Sequence, residues 1–60
     1  MSDAQKQAQT MIEEKESGWC KQHRFFSRDA ALLVLDYLVI EGLEVLVSYS
    51  QGFWFLMIQP

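Results

Sequence analysis

From Val45 to Pro60 the chain runs for sixteen residues without a formal charge, VLVSYSQGFWFLMIQP. Ten of these are Val, Leu, Ile, Met, Phe, Tyr or Trp, and they flank a turn containing Gly52. Two such runs around a glycine predict an antiparallel β-hairpin, with strands at about 43–49 and 53–59. A chain of 60 residues keeps much of its surface in water. It can roof one face of this hairpin with a helix, but hardly both faces and both edges. Burial against a second copy or another protein is the expected resolution.

Gly52 leaves two registers open. A two-residue turn, Gln51-Gly52, puts Val45, Val47 and Tyr49 on one face with Trp54, Leu56 and Ile58. A three-residue loop, Ser50-Gln51-Gly52, joins them instead to Phe53, Phe55 and Met57. Either face leaves large apolar groups on the other side.

The segment before the hairpin reads as a helix over about 28–41. Ser27 is a natural N-cap, Asp29 suits the positive end of the helix dipole, and Gly42 stops the run. Between them AALLVLDYLVIE is apolar nearly all round, with Asp29 and Asp36 marking the polar line. Leu32, Leu35 and Val39 form one apolar row, and Ala31, Val34 and Leu38 form its neighbour. A helix of this kind is covered on more than one side, a second sign of a partner. On this reading Leu35 is a core residue and Asp36 is dispensable.

Residues 2–16 also look helical, with Ser2 as cap and Asp3 in the first turn. Ala4, Ala8, Met11, Ile12 and Lys15 share a face, but the apolar stripe is thin, and Gly18 can end the helix. The expected organisation is therefore a polar N-terminal helix or arm at 1–18 and a compact core at 19–60 that folds without it. Between the helices, GWCKQHRFF alternates well enough for an extra strand at 19–26. The fold class is α+β, in a single small domain.

Charge is unevenly placed. Acids and bases cancel within residues 1–24, and Arg28 against Asp29, Asp36, Glu41 and Glu44 supplies the whole net charge of −3. A mildly acidic balance speaks against nucleic acid as the main partner. The single cysteine, Cys20, makes no internal disulfide, which suits a reducing compartment. MSDAQKQAQ lacks the pattern of a signal peptide. The most hydrophobic window, Ala30 to Val47, contains three acids, too many for a membrane span. A cytoplasmic location is the expectation.

Chemistry-bearing groups are few. Cys20 and His23 stand three apart, but structural zinc wants four ligands and a Cys–His nucleophile pair wants a pocket and an orienting group. No metal, cofactor or catalytic residue is assigned, and no enzyme activity is expected. Trp19, Lys21, His23, Arg24 and Arg28 form a basic-aromatic segment, in which cations can meet phosphate and rings can meet bases. A helix followed by a hairpin also ends winged-helix domains, but the acids Asp29, Asp36 and Glu41 do not suit a recognition helix.

The reading is a small non-enzymatic protein–protein interaction or regulatory module, a homodimer or higher oligomer, with Leu46, Phe53, Trp54, Phe55 and Leu56 as interface candidates. A heterologous protein partner is compatible with it. The alternative is a small nucleic-acid-associated regulator using residues 19–28. Short, motif-free chains with one cysteine also occur among accessory proteins of phages and other mobile elements, an association that carries no mechanism.

Overall fold

The computed structural model describes residues 3–60. The cap expected at Ser2 lies outside the described residues. Helix α1 spans Asp3–Glu16, strand β1 His23–Phe25, helix α2 Arg28–Ile40, and strands β2 and β3 span Val45–Ser50 and Phe53–Ile58. The three strands form one antiparallel sheet in the order β1-β3-β2. The chain is α+β, and the extra strand falls inside the segment where alternation predicted one.

Local chemistry explains each boundary. Ser27 has an extended backbone, and its hydroxyl accepts the Ala30 N–H at 3.1 Å, capping α2. At the other end Gly42 sits at φ +79°, with its N–H donating to the Val39 carbonyl and the Leu43 N–H to the Leu38 carbonyl. This pair of bonds satisfies two carbonyls of the last turn, and the left-handed conformation it needs is easiest for glycine.

The hairpin adopts the two-residue turn, with Gln51 at φ +53° and Gly52 at φ +83°. Positive φ at both central residues matches the right-handed twist of the flanking strands. Val45 then pairs with Ile58, Val47 with Leu56 and Tyr49 with Trp54. The β1 pairs His23–Leu56 and Phe25–Trp54 continue that face across the sheet. Arg24, Leu46, Ser48, Ser50, Phe53, Phe55 and Met57 point the other way.

Both helices lie on the first face. The core consists of Ala8 and Met11 from α1, Phe25 from β1, Ala31, Val34 and Leu38 from α2, and Leu56 and Ile58 from β3. The α2 row against the sheet is therefore Ala31, Val34 and Leu38. Leu35 is only half-buried and Leu32 and Val39 are exposed, which corrects the assignment of Leu35 as a core residue. The narrower row wins because Ala31 lets the helix approach the sheet. Asp36 is exposed, as its place on the polar line implied.

Helix α1 is seated on the body. Ala8 and Met11 are buried, with Ala4 and Ile12 packed around them, so the thin stripe is sufficient for docking. Removing residues 2–16 is consequently expected to lower stability, in place of the expected independence of 19–60. A urea midpoint for the truncated chain equal to that of the full chain would contradict this. Leu38→Ala, at a fully enclosed site, should cost about 2–5 kcal/mol, with Leu35→Ala costing less. Gln51→Asn should raise the urea midpoint, since Asn tolerates positive φ better, whereas Gly52→Ala should lower stability by about 1–2 kcal/mol.

Candidate functional site: an uncovered sheet face and its edge

The helices roof one side of the sheet and leave the other bare. On the bare face Phe53, Phe55 and Met57 of the central strand are half-buried, flanked by exposed Leu46 on β2. Arg24 lies on the same face, with its guanidinium carbon 4.8 Å from the Phe53 ring centroid and 5.5 Å from that of Phe26. The two rings meet edge to face at 5.5 Å. This cluster gives Phe26, 76% exposed, a fixed position beside the sheet.

The interface candidates divide between the two sides. Leu46, Phe53 and Phe55 occupy the bare face. Trp54 and Leu56 point toward the helices, and Leu56 is fully enclosed, so it is a core residue and leaves the set of surface candidates. Trp54 is half-buried and packs its ring 4.7 Å from that of Tyr49 across the strand pair. Met57 and Phe26 were missed. Met57 shares the face of Phe53 and Phe55 by alternation along β3, and the two-residue turn makes that the bare face; Phe26 reaches it through its ring contact with Phe53.

The basic-aromatic segment is also divided. Trp19, Lys21, Arg24 and Arg28 are exposed. His23 turns inward beneath α1, and this corrects its inclusion as a nucleic-acid contact. Its Nδ1 accepts from Gln7 Nε2 at 2.8 Å, and its Nε2 lies 3.1 Å from Glu14 Oε2. With Gln7 donating, the ring carries its proton on Nε2 and donates it to the carboxylate. Gln7 and Glu14 are two helical turns apart, so one imidazole ties the length of α1 to β1. Both ring nitrogens are thereby used within the fold, and neither is directed at the half-buried Cys20. Among the described residues, no three His, Cys, Asp or Glu side chains gather where they could hold a metal ion.

A cleft of about 280 Å³ opens between α1, β1 and α2, lined by Asp3, Ala4, Gln7, Phe25, Ala30, Leu33 and Val34. It is apolar except at its Asp3 and Gln7 rim, and it presents no pair of polar groups converging on one point. No described helix is long and apolar enough to cross a membrane. Searches with protein-family profiles, curated protein sequences and solved structures give no match to this chain.

The His23 bridge makes a measurable claim. A double-mutant cycle between His23→Ala and Glu14→Ala should give a coupling of about 0.5–1.5 kcal/mol, the net worth of a partly shielded hydrogen bond. Coupling within error of zero would mean that the bridge does not hold α1 to β1.

Proposed function

We propose that the chain is a small non-enzymatic module working by protein–protein contact, self-associating and docking a protein partner on the bare face of its sheet. The observation that carries the reading is an imbalance. Among the described residues, ten large hydrophobic ones are exposed, including Leu32, Leu33, Val39, Ile40, Leu46, Val47 and Tyr49, against eight buried in the core. Large apolar side chains left open in such number favour association. The bare face supplies anchors of the type that concentrate binding energy, namely aromatic rings beside an arginine held in place. A cytoplasmic setting fits the lone thiol.

A second reading rests on Arg24. Its position between Phe26 and Phe53 puts a cation and stacking surfaces on one open face, an arrangement suited to single-stranded nucleic acid. Lys21 and Arg28 add little to it, and the acidic balance of the chain opposes it.

Affinity capture from native-host extract, with and without nuclease, separates the two. Under the protein-contact reading, capture survives nuclease, and Leu46→Lys or Phe53→Ser abolishes it with the circular dichroism spectrum unchanged. Under the nucleic-acid reading, capture is nuclease-sensitive and falls steeply with salt, and neutralising Lys21, Arg24 and Arg28 together removes it.

A further inference from the structure

We propose that two copies of the chain join through strand β2 about a two-fold axis at Val47, forming a continuous six-stranded sheet with three strands from each copy. The proposal rests on the self-association reading above and specifies its geometry.

Backbone chemistry fixes the register. Strand β2 pairs with β3 on one side only, so its other edge carries unpaired groups. The Gln59 N–H donates to the Glu44 carbonyl at 2.9 Å. Antiparallel hydrogen bonding alternates, so Glu44, Leu46, Ser48 and Ser50 turn their polar groups toward β3. Val45, Val47 and Tyr49 turn theirs toward the open edge. Only one register satisfies all three residues at once: Val47 opposite the partner's Val47, and Val45 opposite the partner's Tyr49. That arrangement is symmetric by construction, as an isologous interface requires. No charge or proline guards this edge.

The helix layer supports the same axis. At 100° per residue, the α2 positions toward α1 are Ala30, Leu33, Val34, Tyr37 and Glu41, which line its clefts with that helix. Ala31, Val34 and Leu38 face the sheet. The flank left over is Arg28, Leu32, Leu35 and Val39. Since α1 is tied to β1 through His23 and α2 lies mainly over β3, the flank turned away from α1 is the one toward β2. Leu32 is 41% exposed and Val39 56%, beside Val47 at 48% and Tyr49 at 59%. All four are apolar side chains left open to a partner.

Lengths agree as well. Helix α2 and strand β2 are each about 20 Å long and are joined at one end by a short turn. The row Leu32, Leu35 and Val39 centres between Leu35 and Asp36, close to the helix midpoint, and Val47 is near the middle of β2. A two-fold axis at Val47 therefore turns the middles of the two α2 flanks toward each other.

Charge makes the second copy a better occupant than an unrelated strand. Arg28 sits at the N-terminus of its own α2, where a cation is disfavoured, and the last turn of α2 carries no basic residue. The two-fold axis sets Arg28 beside the C-terminal end of the partner's α2. The cation missing from each helix end is thus supplied by the other copy.

The test is the mass in solution at micromolar concentration, by sedimentation or light scattering. The wild-type chain should weigh twice 7.0 kDa. Val47→Pro removes an outward N–H and no bond within the chain, so it should give a folded monomer. Tyr49→Lys, which keeps the backbone donor, should do the same should the proline prevent folding. Arg28→Glu should weaken the dimer several-fold. A dimer that survives Val47→Pro or Tyr49→Lys but is split by Leu46→Lys on the bare face overturns this geometry and leaves self-association standing. A monodisperse wild-type monomer overturns both.

Discussion

Strand β3 is the element on which the rest of the fold depends. It is hydrogen-bonded on both sides, and its alternate residues Leu56 and Ile58 form the floor beneath the helices. The last strand in sequence is thus the central strand in space, lying between β1 and β2. Strands β1 and β2 run parallel to each other with β3 between them, so β1, α2 and β2 make a split β-α-β unit. Helix α2 must then cross the sheet over β3, and its small row Ala31, Val34 and Leu38 is what allows that crossing to be close.

One layer of helices has one consequence that runs through the molecule. Two short helices cover β1, β3 and the near part of β2 on a single face. Among the described residues, no further element covers the opposite face or the far flank of α2, whose apolar side chains are left partly or wholly exposed. A core of eight residues leaves a narrow stability margin. A second copy or partner bound only to the folded state raises that margin by mass action.

Elements whose signals are local were legible in the sequence. Ser27 and Gly42 bounded α2, and the uncharged runs around Gly52 gave the hairpin. The features that depended on tertiary choice were less accessible. Both hairpin registers were consistent with Gly52, and the positive φ of Gln51 decided between them, at a residue with no strong preference for it. The apolar rows of α2 were equivalent by pattern, and the choice fell to the one with the small Ala31. Docking of α1 uses Ala8 and Met11 and is reinforced by His23, which in sequence resembled a surface cation and in the fold joins β1 to Gln7 and Glu14. For the candidate site, Leu46, Phe53 and Phe55 were reached by composition, whereas the burial of Leu56 was not, because alternation needs a register before it assigns a face.

The bare face and the β2 edge are distinct surfaces, and joining copies through the edge leaves the face open. Rotation about an axis normal to the sheet keeps both helix layers on one side and both bare faces on the other. Leu46 of one copy then lies opposite Ser48 of the partner subunit, so the clusters built on Phe53, Phe55 and Met57 flank a polar seam. A dimer of this form presents two equivalent aromatic patches at fixed separation on one surface. A ligand engaging both gains avidity without any new kind of contact, provided its own spacing matches. Under the proposed dimer, the geometry that completes the edge would also set what the face selects: an elongated or two-fold symmetric partner over a small compact one.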